Sequence, residues 1–449
     1  MNGIKTFQFF LKEKSFPDGN DNQFSNIIYY FLNIMYNNKM ANRRSIIKRT
    51  NNKNRTNKKN RTNKNTRTNK KHRTKRINQK GGALGDLVAT LAVSGGGVVN
   101  SVAFHPTEPL LATGSSDGTV RLWLLSPDGS SATPERPMEA TATLEGHSEP
   151  VLSVAFHPTE PLLATGSADN TAKLWLLSSD NKSATCVATL EGHGSVVTSV
   201  AFHPTASLLA TGSDEATVKL WRFSRVVSTA TYQATCALTL EPPASKTPTT
   251  PSRDWGSDSL DSSEPLTPGT LATMGHSRSV NSVAFHPKAP LLATGSNDGT
   301  AKLWLLELSA DRSSASCVAT LARFGGGILS VAFHPTGTLL ATGSDDNTAK
   351  LWLLSSDNKS ATCVATLEGH GEGVSSVAFN HTGSLLATGS TDKTAKLWQL
   401  SSDNSSATQV LTLEGHSNVV NSVAFHPRLP LLATGSGDKT VKVWNVKEE

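Results

Sequence analysis

The sequence predicts an all-β, seven-bladed β-propeller carried behind a basic N-terminal extension, and three observations carry that expectation. The stretch Leu162 to Gly194 returns at Leu339 to Gly371 with only Ala168 changed, to Asp345. A Ser-Val-Ala-Phe tetrapeptide begins at seven serines: Ser101, Ser153, Ser199, Ser282, Ser330, Ser376 and Ser422. The segment Asp86 to Leu91 resembles the end of a repeat, Cys186 to Leu190, whereas the last repeat stops near Val446 without one. A short unit returning at such a period buries no core by itself and must stack on its neighbours, so the period decides the architecture before any local propensity does.

Residues 1–40 form an Asn/Phe/Ile/Tyr-rich extension of uncertain status. Its apolar run Ile27 to Tyr36 is too short to cross a bilayer and has no small-residue cleavage site, so neither a span nor a secretory signal is expected. Met40 opens MANRRSIIKR, and translation starting there would leave the first 39 residues outside the native protein.

Residues 41–82 hold a basic low-complexity tract expected to be disordered, because Asn, Lys, Arg and Thr supply too little apolar surface to fold. Residues 43–80 carry seventeen Lys/Arg and no acid, while residues 81–449 carry 22 Lys/Arg against 33 Asp/Glu, or −11. The tract reads as a solubilising tail, as a nuclear address through Lys70, Lys71, Arg73, Lys75 and Arg76, or as a nucleic-acid tether that neutralises phosphates. Without interleaved aromatics to stack on bases, such binding would be sequence-independent and salt-sensitive.

Residues 83–449 form the propeller. Each unit runs from Ser-Val-Ala-Phe through a turn, often His-Pro-Thr, to Leu-Leu-Ala-Thr-Gly-Ser, then a short acidic turn, then a strand ending in one of seven tryptophans: Trp123, Trp175, Trp221, Trp304, Trp352, Trp398 or Trp444. The first two strands are apolar on both faces, as strands sandwiched between neighbouring sheets should be. Three strands from the C-terminus and one from the N-terminus are expected to make the seventh sheet, closing the ring without an open edge.

Gly-His, about 28 residues, then Trp, with an acid six residues before the Trp, resembles the WD-repeat family over residues 86–449. The Asp that usually follows the Trp is absent; Leu124, Leu176, Arg222, Leu305, Leu353, Gln399 and Asn445 stand there. The resemblance implies a hydrogen-bonded set in each blade, of the Gly-His histidine, a Thr or Ser of Thr-Gly-Ser, the turn acid and the indole. The sets are His147 with Asp169 and Trp175, His193 with Glu215 and Trp221, His276 with Asp298 and Trp304, His370 with Asp392 and Trp398, and His416 with Asp438 and Trp444. Gly95–Gly97 and Gly325–Gly327 stand where Gly-His is expected, so Asp117 and Asp346 should lack that partner, and Glu215 replaces the usual Asp. At about 1 kcal/mol per lost bond, these three blades are expected to be looser.

No catalytic, cofactor or metal site is expected. The His/acid sets recur in nearly every blade, which is how structural groups and not active sites are distributed. His105, His157, His203, His286, His334 and His426 occupy equivalent turns of separate blades and cannot converge on one ion at ~2.1 Å. Cys186, Cys236, Cys317 and Cys363 sit at one position in four repeats, too far apart to bridge, and read as reduced thiols of a cytoplasmic or nuclear protein.

Two insertions break the period, at Ser126 to Glu139 and at about 242–268. The second is Ser/Thr/Pro/Asp-rich, offers Thr-Pro at Thr247, Thr250 and Thr267, and contains Trp255. It reads as a surface loop or as a phosphorylatable motif with Trp255 anchoring a partner.

These features, with the resemblance, imply a non-enzymatic scaffold, a monomeric disc binding other proteins and neither a membrane nor a small-molecule substrate. The contacts expected are Glu149, Asp214, Arg278, Phe324, Asp345, Glu372 and Trp255. The alternative is a nucleic-acid-associated assembly factor tethered by residues 43–80. A ubiquitin-ligase substrate receptor ranks below both, because such family members often carry Trp-Asp-x-Arg and no blade here does.

Overall fold

The computed structural model describes residues 83–93, 95–125, 140–226, 231–242, 275–309, 313–322 and 324–447. The extension 1–40, the basic tract with Lys70 to Arg76, both insertions apart from Pro242, and Trp255 lie outside the described residues.

The described chain is all β: 28 strands in seven four-stranded antiparallel sheets, the blades. Blade two shows the plan, with strands Val151–Phe156, Leu162–Ser167, Ala172–Leu177 and Ala184–Leu190 from the axis outward. Blade one begins at Val99 and blades three to seven at Val197, Val280, Ile328, Val374 and Val420. In blade seven the three inner strands come from Val420–Asn445 and the outer one from Leu87–Ala92. That outer strand pairs antiparallel with Thr440–Asn445, Leu91 facing Val441 and Thr90 facing Lys442.

The core lies between blades, not within them. The cluster joining blades one and two combines Leu110, Ala112 and Leu122 with Val151, Leu163 and Trp175. Each of the seven clusters likewise receives one repeat tryptophan from the following blade, and Trp123 completes the cluster shared with blade seven. A lone blade would leave two apolar faces in water, so the unit has no stability apart from its neighbours.

This packing explains the two most regular motifs. A register shift falls just before the serine of Ser-Val-Ala-Phe, as between Val197 and Ser199, and a bulge of this kind re-aims a side chain. Each such serine hydroxyl then accepts the valine N–H of the next blade. Val154 donates to Ser101 at 3.1 Å, Val200 to Ser153 at 3.0 Å, and the series runs round until Val102 donates to Ser422 at 3.1 Å. Beside it, the glycine of Thr-Gly-Ser faces the next blade's first strand: a methyl built on Gly166 would lie 2.9 Å from Val197 Cγ1 and 3.0 Å from Val200 Cγ1. Glycine stands there because the valine side chains of the next blade's first strand fill the space a Cβ would need.

Candidate functional site: the histidine–acid–tryptophan sets and the face above them

The loop entering each blade and the turn between its second and third strands lie at the same end of the sheet, so one face of the disc gathers the Gly-His loops and the acidic turns. In blade two His147 Nδ1 lies 2.7 Å from Asp169 Oδ2, His147 Nε2 2.7 Å from Thr165 Oγ1, and the Trp175 indole donates to Thr165 Oγ1 at 2.9 Å. An indole only donates and a carboxylate only accepts, so a neutral histidine donates from Nδ1 to the acid and accepts the threonine proton at Nε2. The threonine, not the following serine, is the hub.

The same geometry joins His193 with Glu215 and Trp221, His276 with Asp298 and Trp304, His370 with Asp392 and Trp398, and His416 with Asp438 and Trp444. The histidine–acid distance is 2.8 Å in each. The longer Glu215 reaches its histidine as well as an aspartate does, and also accepts the Gly194 N–H at 2.8 Å. Burial holds the pKa of His147, His193, His276 and His370 below the ordinary value against the opposing pull of the acid. On Asp169 and Asp298 burial disfavours the charge, but the threonine and histidine bonds outweigh it and the carboxyls stay below their usual range. Every polar atom of a set is thus consumed inside the blade, and an imidazole whose two nitrogens are both engaged is not available as a base.

Blades one and five depart from the pattern, and the structure corrects where. The strand register puts Phe324, three residues beyond Leu321, at the place His370 holds three residues beyond Leu367; Gly325–Gly327 follow that position and do not fill it. Phe324, expected as a partner contact, is half-buried with its ring centroid 5.5 Å from that of Trp352 and Lys350 Nζ 5.5 Å above it. Asp346 accepts from Gly325 N at 3.0 Å, with Lys350 Nζ 4.0 Å away. In blade one Arg121 takes over: its Nη2 donates to Asp117 Oδ2 at 2.9 Å and its Nη1 to Thr119 Oγ1 at 2.6 Å. Burial disfavours ionised Asp117, yet the bonds from Arg121 and Thr119 bring its pKa down to about 2. The bonds expected to be missing are therefore replaced.

Sequence reading overlooked the cation two residues before each tryptophan: Arg121, Lys173, Lys219, Lys302, Lys350, Lys396 and Lys442. In blades two, three, four and six, where a histidine holds the acid, the lysine turns outward to the outer strand; Lys173 donates to Thr189 at 3.1 Å and Lys302 to Thr320 at 3.0 Å. Where no histidine is present, in blades one and five, it turns toward the acid. Its presence in every repeat was the available signal.

Among the other singled-out residues, Glu149, Asp214, Arg278, Asp345 and Glu372 are exposed on the Gly-His face. Asp214 and Asp345 sit at equivalent turn positions of blades three and five, and Ser279 donates to Asp214 across the blade three–four boundary. The same face also exposes Glu145, Glu191, Glu368 and Glu414 against Lys393 and Lys439, so it is acidic.

The six turn histidines line the opposite face. Each Nδ1 accepts backbone N–H groups of its own turn, as His157 does from Thr159 at 3.2 Å and Glu160 at 2.8 Å. Each ring packs on the next blade's phenylalanine at 4.9–5.1 Å. They are clamps between blades, and among the described residues no group of three metal-ligating side chains converges. The four cysteines are unpaired, each on the outer strand of a different blade. No described helix is long and apolar enough to cross a membrane.

Comparison with known proteins agrees with this geometry. The family model described as "WD domain, G-beta repeat" matches seven segments, residues 85–123, 138–175, 184–222, 269–304, 315–352, 361–399 and 407–445, together more than half of the chain. The chain is 44% identical over 75 residues to Transducin beta-like protein 3 of Rattus norvegicus, covering 16% of this chain and 9% of that protein. It is 36% identical over 94 residues to Polycomb protein EED of Chaetomium thermophilum, covering 21% and 16%. It is 37% identical over 86 residues to Striatin-3 of Bos taurus, covering 18% and 10%. The matched stretch thus spans 16% or less of each of these curated relatives. With seven matched repeats and a described structure of seven blades, the chain belongs to the WD-repeat family of β-propellers.

Proposed function

We propose that this protein is a non-enzymatic scaffold that holds other proteins against the Gly-His face of the disc. WD-repeat propellers typically mediate protein–protein interactions and are generally not enzymes. What supports the reading in this chain is the separation of roles on that face. The His, Asp and Thr groups that could do chemistry are spent on holding blades together, while Glu149, Asp345 and Glu372 project from the same loops into solvent. A rim of exposed acids around a rigid disc favours partners presenting Lys or Arg, because charge complementarity steers encounter and fixes register. Arg278 and Asp214 belong to the same contact set, and Trp255 would add an aromatic anchor from the 242–268 insertion. A monomeric propeller working in the cytoplasm or nucleus fits this role.

The test is affinity capture from cells expressing the full chain or the triple variant Glu149→Lys, Asp345→Lys, Glu372→Lys. Loss of most co-purifying proteins at an unchanged melting temperature is the expected result. Identical partner sets from both chains would remove this face from consideration.

The seventeen Lys/Arg of residues 43–80 favour a second reading, in which the scaffold is tethered to nucleic acid. Binding of RNA and DNA by the full chain and by residues 81–449, titrated with salt, separates the two. Tethering requires binding by the full chain alone, weakening steeply with log salt as phosphate neutralisation demands. Absence of binding at physiological salt leaves the tract as an address or a spacer.

A further inference from the structure

The boundary between blades three and four differs from the other interblade boundaries. The two outer strands of blade three, Val218–Val226 and Thr231–Leu240, have 9 and 10 residues, and those of blade four, Ala301–Leu308 and Ser313–Leu321, have 8 and 9, against 6 and 7 in blades two, five and six. Both hairpins therefore project beyond the face that carries the turn histidines. Between them lies an open groove of about 440 Å³ whose lining includes Leu208 and Leu308 on the apolar side and Arg222, Ser224, Gln233 and Thr235 on the polar side.

Arg222 stands where the family usually places an aspartate after the tryptophan, and the other blades here have Leu, Gln or Asn. Its guanidinium crosses the boundary, donating to the Ser309 carbonyl and, at 3.0 Å, to Ser313 Oγ. These bonds fix a positive charge at the groove rim of a body whose net charge over residues 81–449 is −11. Tyr232 secures the far side of the same hairpin by donating to Glu160 of blade two at 2.9 Å, so the wall bearing Gln233 is braced from both neighbours.

We propose that this groove takes an extended peptide segment of a partner protein in which a carboxylate side chain neighbours an aliphatic or aromatic one. The carboxylate meets Arg222, in the charge-assisted geometry a guanidinium offers through its several N–H donors. The apolar side chain covers Leu208 and Leu308, and the hydroxyls and amide of Ser224, Thr235 and Gln233 receive the segment's backbone. The volume falls within the range of pockets that enclose a few side chains, roughly 300–1,000 Å³. The inference rests on the scaffold reading but uses the opposite face of the disc.

The experiment is binding of the full chain to an immobilised octapeptide array in which Leu, Ile or Phe neighbours Asp or Glu, with Asn and Lys in place of the acid as controls. The expected result is retention on acidic members only, weakened roughly tenfold or more by Arg222→Gln, the loss of one charge-assisted bond. Ser313→Ala, which removes a partner of Arg222 but no groove charge, should retain binding, as should Gln399→Ala at the same place in blade six. No acidic preference on the array, or an Arg222→Gln chain that binds as well as the original, overturns the proposal. The Glu149/Asp345/Glu372 variant separates the two readings: if its partner capture fails while the array is silent, only the groove is wrong.

Discussion

Arg121 replaces a histidine. Its Nη2 lies 2.9 Å from Asp117 Oδ2, and it does in blade one what His147 Nδ1 does for Asp169 at 2.7 Å in blade two. The two arrangements differ in one respect: the Arg121 bond spans a single turn within one strand pair, whereas the histidine links the entry loop to the turn.

Arg121→Ala should therefore destabilise the propeller by about 2 kcal/mol, because it leaves a partly buried carboxylate without its charged donor. Lys173→Ala, which removes only a bond to Thr189, should cost less than about 1 kcal/mol. Urea midpoints of the two variants decide it; equal losses would mean that Asp117 finds another donor.

Stability should fall in acid in two stages. His147, His193, His276 and His370 have folded pKa values below 6.5, so the unfolded chain takes up protons first. Their contribution is complete above about 6.5 and declines as pH falls toward the folded values. Asp117, at about 2 in the fold against 3.8, contributes fully above about 4 and is lost as pH falls through about 2. Urea unfolding at pH 7.5, 5.5 and 3.5 should show descending midpoints, and a flat profile between the first two would contradict neutral buried histidines.

Gly166→Ala should destabilise by roughly 1–3 kcal/mol, the usual cost of overpacking, since the methyl would press on Val197 and Val200 of the next blade. The lost stability should appear as faster unfolding of blades two and three in hydrogen exchange. An unaltered melting temperature would show that adjacent blades can separate at no cost.

Ala216→Gly should stabilise. The residue after the turn acid is left-handed in every blade: Gly118 and Gly299 adopt it freely, Asn170 and Asn347 tolerate it, and Ala216 is held there at φ 66°. Relief of the left-handed strain, about 1–2 kcal/mol, exceeds the extra chain entropy of glycine by a few tenths to about 1 kcal/mol. A calorimetric midpoint that drops would refute the strain.

Much of this was legible beforehand because the chain states it seven times. The Trp123-to-Trp444 series, the Ser-Val-Ala-Phe series and the Gly-His spacing gave the blades, their number and the members of five polar sets. Phe324 was misplaced because a motif search for Gly-His looks for letters, whereas the position is set by counting from the buried Leu321 along the strand. The seven cations went unnoticed because Lys before an apolar pair reads as ordinary strand polarity until its partner is seen.

Sequence alone determined the period, the apolar segments and the residue types of five polar sets, since these follow from local chemistry repeated along one chain. Only the tertiary structure decided which partner each group takes. Lys173 turning to Thr189, Ser422 accepting from Val102 and Arg222 bridging to Ser313 all depend on which strands lie side by side. A hydrogen bond across a blade boundary joins residues brought together by the curvature of the ring, and that curvature is a sum over all seven interfaces that no single repeat encodes.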